Sequence, residues 1–188
     1  MAYPTVAAPY GLEPINLVGG QVYAGQVRQI PIASGSSTDI FYGDIVALDT
    51  NGQLVKVTTT DSATNAVGVF LGCSYTNPAT QQPLFYQCYN GPVTASDIKA
   101  FVQDDPDQLY KVAVVSATTT ISGVTRAAVG QNAALVQNTG STITGDSKVA
   151  VLNSTGNATT LPFRVIAGIP ETVNASGSYT EVIVKFNF

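Results

Sequence analysis

Short β-rich runs, broken at frequent intervals by turn residues, are the feature that most restricts the fold of this chain. The clearest case lies in residues 44–58, where the strand-like runs 44–49 and 53–58 flank Asn51-Gly52. Asn-Gly between two such runs is the strongest short-range signal of a β-hairpin. The pattern therefore predicts two antiparallel strands joined by a tight turn.

Strand-like runs of the same kind recur along the rest of the chain. Residues 66–75 predict a strand whose hairpin partner is 84–89, across a loop at 77–83 that contains two prolines. Residues 96–102 suit a helical turn or a strand equally well, and no stretch keeps apolar residues at helical spacing for long. The further strand candidates are 98–102, 109–115, 133–136, 148–152, 163–166 and 180–188. We therefore expect an all-β fold, a barrel or sandwich of short antiparallel strands with an extended N-terminal arm.

The final run predicts a strand with one buried face. Val182, Val184 and Phe186 alternate with Glu181, Ile183 and Lys185, so that Ile183 is the exception to the pattern. This alternation places Glu181 and Lys185 on the exposed face.

The opening segment, residues 1–29, differs in character from the rest of the chain. Pro4, Pro9, Pro14 and Gly19-Gly20 disfavour a helix, yet apolar side chains stand between them. We expect an arm laid along a surface, whose interface residues are Tyr3, Tyr10, Leu12, Ile15, Leu17, Val22 and Tyr23. The remainder, 30–188, is then a β-rich core domain with a loop-rich insertion at 116–156, a stretch rich in Thr, Ser, Gly and Asn.

Charge is scarce in this sequence. Charged residues make up 11% of it, whereas about 25% is usual, and polar uncharged residues replace them. Such a surface costs little to desolvate, which suits a subunit covered by neighbours, and we expect a homo-oligomer, most simply a homotrimer. The net charge is −4 and the eight Lys and Arg are scattered, so nucleic-acid binding is not expected.

The absence of histidine restricts the chemistry of this chain. Histidine is the commonest general base near neutral pH and the commonest metal ligand, so the usual catalytic triads and zinc sites are excluded. We expect a protein that is not an enzyme and needs no cofactor. The N-terminus lacks a signal-peptide pattern and no run of about 18 apolar residues occurs, which predicts a soluble protein made in the cytosol without membrane partners.

Asp104-Asp105-Pro106-Asp107 is the densest group of carboxylates and has two interpretations. It could supply oxygen ligands to calcium or an acid/base pair, but its spacing matches no complete calcium loop. Asp and Pro also favour tight turns, and this interpretation is preferred. Asp49-Thr50-Asn51-Gly52 likewise resembles part of a calcium loop, but the hairpin explains it.

Cys73 and Cys88 are symmetric about the centre of the 77–83 loop, so the predicted hairpin places them opposite each other. A disulfide is possible there, but a cytosolic origin favours two reduced thiols. Gly145-Asp146-Ser147 superficially suggests a nucleophilic serine. Without a histidine base it is better interpreted as a turn.

The order of several motifs resembles that of the head decoration, or cement, proteins of tailed bacteriophages, across nearly the whole chain. The motifs are Tyr10-Gly-Leu-Glu-Pro14, Gly19-Gly20, Phe41-Tyr-Gly-Asp-Ile-Val46, Gly68-Val-Phe-Leu-Gly-Cys-Ser-Tyr75, Val102-Gln-Asp-Asp-Pro106, Gly130-Gln-Asn132, Gly145-Asp-Ser147 and Val182-Ile-Val-Lys-Phe-Asn187. The resemblance implies a β-rich structural virion protein that is commonly trimeric. It implies that the protein is made in the host cytoplasm, binds the major capsid protein on the outer surface of the capsid, and clamps neighbouring capsid subunits against internal pressure.

Three other functions remain open at this stage. A tail-tube or other capsid subunit is the nearest, and it would form open-ended stacks or shells. A carbohydrate-binding module or adhesin would bind glycans through exposed aromatic residues. A depolymerase that uses Asp104 and Asp107 is the enzymatic alternative.

Overall fold

A computed structural model describes residues 6–58 and 65–187 and places twelve strands in them. The strands, in chain order, are β1 Glu13–Leu17, β2 Arg28–Pro31, β3 Ile45–Leu48, β4 Leu54–Lys56, β5 Ala66–Thr76, β6 Pro83–Tyr86, β7 Lys99–Gln103, β8 Gln108–Val115, β9 Asn132–Val136, β10 Ala150–Gly156, β11 Phe163–Gly168 and β12 Glu181–Phe186. The helical elements of the described residues are two 3-10 turns, Arg126–Ala128 and Pro170–Thr172. The all-β prediction is confirmed.

Five strands close into a barrel in the order β8, β10, β9, β11, β12 and back to β8. The closing pair is β8–β12, which is antiparallel and sets Val182 opposite Val112. The β8–β10 pair is parallel, while the other pairs of the barrel are antiparallel. Closure removes the exposed edges that an open sheet of these strands would have.

The second sheet has the order β2, β7, β5, β3, β4, and β6 also pairs with β5. The long strand β5 pairs with β7 on one edge, and its other edge is shared by β3 near its start and β6 near its end. The predicted hairpin is confirmed as β3–β4, in which Leu48 pairs with Leu54. Its turn is closed by the Asp49 carboxylate, which accepts the Asn51 and Gln53 N–H groups, and Gly52 adopts a φ of +74°.

The core has two large apolar clusters and a small third one of Val115, Val136 and Ala150. The two large clusters lie on opposite sides of the second sheet. One fills the barrel and extends onto the second sheet, and the other covers the far face of that sheet. Strand β3 contributes to both, because Ile45 and Ala47 pack in the first cluster and Val46 in the second. This alternation explains why β3 is an unbroken apolar run, since both of its faces are buried.

The segment 116–156 is part of the barrel. It contains β9 and the whole of β10, two of the five barrel strands. Residues 96–102, for which a helical turn was an alternative, lie mainly in strand β7. The Thr- and Ser-rich composition of 116–156 is explained by the loops on either side of β9.

The exposed position expected for Glu181 is wrong. Val182, Val184 and Phe186 are buried as the alternation predicts, but Glu181 is buried as well. Its carboxylate accepts a hydrogen bond from the Tyr10 hydroxyl, and its N–H donates to Thr172 Oγ1. A buried carboxylate with partners of this kind loses much of its desolvation penalty.

Candidate interaction surface

The residues proposed for the arm interface have different environments. Leu12 is 1% exposed and packs in the barrel cluster of its own chain. Ile15 and Leu17 lie half-buried in β1, whereas Val22 is 79% exposed. Tyr3 lies outside the described residues, and Tyr23 is half-buried. In this conformation Val22 is therefore accessible to a partner, while Leu12 contributes to folding.

Strand β1 and the residues immediately before it, 10–12, are held against the barrel. Glu13 and Pro14 pair with Lys111 and Tyr110 of β8. Just before β1, the Leu12 N–H donates to the Gly43 carbonyl at 3.0 Å. Gly43 has a φ of +86°, and a Cβ there would meet the Leu12 nitrogen at 2.8 Å. A glycine is required at residue 43 for the chain to pass this closely.

Tyr10 joins the arm to the last barrel strand. Its hydroxyl donates to Glu181, and the Lys111 ammonium lies 5.3 Å from the centre of its ring. Burial, followed by the hydrogen bond and the charge of Glu181, raises the pKa of Tyr10 far above its usual value. Lys111 also pairs with Glu13 at 2.8 Å, so the cluster ties β1 to β8 and β12.

A buried ion pair of the second sheet is hydrogen-bonded to the loop that precedes barrel strand β10. Asp44, which is fully buried, accepts the Lys56 ammonium at 2.6 Å and the Phe41 N–H at 2.9 Å. Its other oxygen accepts the Ser147 hydroxyl at 2.6 Å, and Ser147 Oγ in turn accepts the Val149 N–H. Ser147 is almost inaccessible to solvent, so no substrate can reach its hydroxyl. The arrangement therefore fastens the loop before β10 to the hairpin, and sequence reasoning missed this role of Ser147.

The turn predicted at residues 104–107 is confirmed. The Asp105 carboxylate accepts the Asp107 N–H at 2.8 Å, and the Asp105 carbonyl accepts the Gln108 N–H. Asp104 pairs with Arg28 at 2.9 Å, and Asp107 pairs with Lys185 at 3.3 Å. Within the part of the chain that the structure describes, no group of three or more acidic or cysteine side chains is placed to hold a metal ion.

Cys73 and Cys88 are both free thiols, but their predicted register is wrong by two residues. Cys73 is opposite Tyr86, because β6 pairs with β5 two residues earlier than the symmetric loop implied. Cys88 follows the end of β6, and its carbonyl accepts the Cys73 thiol at 3.6 Å. Burial raises the pKa of Cys73 to about 12, which leaves it protonated and unreactive at neutral pH.

Three large apolar side chains are exposed at the end of β6 and on the turn that contacts the segment just after it, and we call this set the apolar edge. It consists of Phe85, Tyr86 and Ile143, which are 73%, 46% and 94% exposed. Phe85 and Tyr86 end the short strand β6, while Ile143 is at the tip of a turn closed by the Gly145 N–H on the Ser141 carbonyl.

A side-chain hydrogen bond joins the segment that follows β6 to the turn that carries Ile143. The Gln87 amide donates to the Asp146 carboxylate, and the backbone of Gly145 packs against the side chains of Gln87 and Cys88. The sequence placed Phe85 and Tyr86 in a predicted strand but did not show that both are exposed, since neighbours on a strand point to opposite faces. Ile143 is a single apolar residue in a run of Thr, Ser and Gly. This isolation was the sequence signal that could have indicated an exposed loop tip.

Single exposed apolar side chains are common on protein surfaces, whereas contiguous apolar patches mark interaction sites. The apolar edge is therefore a candidate for contact with a partner. No helix in the described ranges has the length and apolar character needed to cross a membrane. No protein-family model, curated protein or solved structure matches the chain. The function of the chain must therefore be inferred from its own residues and surfaces.

Proposed function

We propose that this chain is a structural, non-catalytic virion protein that binds the outside of a tailed-bacteriophage head. It would clamp neighbouring major capsid subunits and thereby stabilise the head, with partners that are the capsid protein and other copies of itself. The observation that carries the proposal is the apolar edge, an exposed group of apolar side chains on a folded chain with little charge. The order of the sequence motifs, which resembles that of phage decoration proteins, supports the same function.

The energetics of such a clamp depend on surface burial. Covering a fully exposed large apolar side chain stabilises a complex by about 1.5–3 kcal/mol, and Phe85 and Ile143 begin 73% and 94% exposed. A ligand that binds one lattice geometry stabilises that geometry by mass action. A homotrimer presents three copies of the contact, so modest affinity per subunit gives strong attachment.

The experiment that tests the proposal is attachment to undecorated heads. Phe85→Ser combined with Ile143→Ser removes two apolar contacts from exposed positions, so the fold should be retained, as circular dichroism would verify. We expect at least about a tenfold loss of affinity in co-sedimentation, which corresponds to about 1.4 kcal/mol.

Val55→Ser provides the matched control for this experiment. Val55 is an exposed aliphatic residue on β4, in the part of the second sheet that does not contain β6. Its replacement should leave attachment unchanged. Undiminished attachment of the double variant, or equal loss in the control, would contradict the assignment of the apolar edge as the capsid contact.

Self-association is tested by light scattering. A homotrimer has three times the 19.5 kDa mass of the chain, and multi-angle light scattering at micromolar concentration should approach that value. A monomer in solution that also occupies heads as isolated single copies would contradict the trimer.

A further inference from the structure

A second surface, on the barrel, carries two neighbouring cations. Arg164 on β11 is directly opposite Lys185 on β12, so two cations face each other across one strand pair. Arg164 is exposed and has no hydrogen-bond or ion-pair partner among the residues that the structure describes. Like charges directly opposite each other in an antiparallel pair are destabilising, and an anion bound between them would relieve the repulsion.

The pairing of Lys185 with Asp107 does not neutralise this site. The contact is 3.3 Å long and both side chains are accessible to solvent, the Asp107 side chain to 66%. Ion pairs of this kind contribute about 0–1 kcal/mol and are readily exchanged. Lys185 therefore remains available to an external carboxylate.

The two cations line a groove of about 500 Å³ whose other walls are partly apolar. Val129 and Ile166, which are both exposed, contribute aliphatic surface, and Gly130 and Asn187 are among the other lining residues. A ligand that matches this groove has a carboxylate beside an apolar side chain. A nucleic-acid backbone is a poorer match, because it needs a row of cations rather than two beside aliphatic walls.

We propose that this groove, formed by β11, β12 and the turn that follows Arg126–Ala128, binds an acidic segment of a protein partner. The Arg164 guanidinium accommodates a carboxylate through two parallel N–H···O hydrogen bonds, and Lys185 adds a second positive charge. Val129 and Ile166 cover an adjacent aliphatic side chain of the segment. The assignment of this segment to a capsid subunit rests on the proposed function. The binding chemistry of the groove does not depend on that function.

The test uses the isolated full chain and a defined peptide. We would titrate the ¹⁵N-labelled protein with acetyl-Leu-Glu-Asp-Leu-amide and record the amide signals of Gly130 and Ile166 and the side-chain signal of Arg164. We expect saturable chemical-shift changes with a dissociation constant of about 1 mM, a value typical of a short unstructured ligand. The uncharged peptide acetyl-Leu-Gln-Asn-Leu-amide should bind at least about tenfold more weakly, because the carboxylates are absent.

Two variants identify the cation responsible. Arg164→Gln should weaken binding of the acidic peptide at least about tenfold, whereas Lys99→Gln, at an exposed lysine of β7 in the other sheet, should leave it unchanged. The same spectra verify that both variants are folded. Equal binding of the two peptides, or no effect of Arg164→Gln, would overturn the proposal.

A nucleic acid is the remaining alternative ligand. Tighter binding of a thymidine oligonucleotide of about ten residues at the same signals would overturn the choice of a protein segment. Co-sedimentation of Arg164→Gln with undecorated heads then tests the partner separately. Peptide binding without any effect on head attachment would support the groove and contradict the capsid subunit as the source of the segment.

Discussion

Replacement of Leu12 by alanine tests whether the residues just before β1 are part of the core. Leu12 is 1% exposed and packs in the barrel cluster, and its N–H donates to the Gly43 carbonyl. The substitution removes three carbons, and at about 0.8 kcal/mol for each buried carbon the transfer contribution is about 2.4 kcal/mol. The cavity left behind adds to this, so we expect a total loss of about 3–4 kcal/mol in the free energy of unfolding.

Urea unfolding followed by tyrosine fluorescence measures this change. With a slope of about 2 kcal/mol per molar urea, the midpoint should fall by about 1.5–2 M. Val22→Ala is the control within the same segment, and because Val22 is largely exposed its effect should stay within about 0.5 kcal/mol. A Leu12→Ala variant as stable as the control would refute the contribution of Leu12 to the core.

Buried groups give three further predictions. Asp44→Asn should lower the free energy of unfolding by about 3 kcal/mol, because it leaves the Lys56 ammonium without its counterion, and an unchanged urea midpoint would contradict this. At neutral pH iodoacetamide should modify Cys88 well before Cys73, because burial raises the pKa of Cys73 to about 12. Equal modification rates or a disulfide-linked peptide in mass spectrometry would contradict this prediction. Tyr10 and Tyr110 should stay protonated at about pH 11, because burial raises both pKa values above the value of about 10 that they have in the unfolded chain. The stability that they contribute is therefore complete below about pH 10 and is lost as the pH rises further, so that phenolate absorbance should appear together with unfolding and not before it.

The strands were predictable because their signals are local. Asn51-Gly52 specified the β3–β4 hairpin, and the run that became β8 was found to within one residue. Closure of the barrel was not predictable, because β8 and β12 lie far apart in the sequence. The alternation of apolar and polar residues within a strand shows its buried face but does not identify the strand with which it pairs. The burial of Glu181 had the same cause, since its partner Tyr10 lies 171 residues away.

The candidate surface was predictable only in part. The apolar character of the arm was visible, but whether a given side chain faces a partner or the chain's own core depends on tertiary packing. Leu12 and Val22 are both apolar and lie ten residues apart, yet one is buried and the other exposed. The segments that carry Phe85 and Ile143 are linked by the contact between Gln87 and Asp146, which are 59 residues apart.

Immunogold electron microscopy of virions tests the central claim most directly. An antibody against this chain should label intact particles of the phage that encodes it, with gold distributed over the outer surface of the head. Labelling should disappear from heads assembled without the protein and return when purified chain is added. Gold confined to the tail, or absent from intact virions, would contradict a head decoration protein.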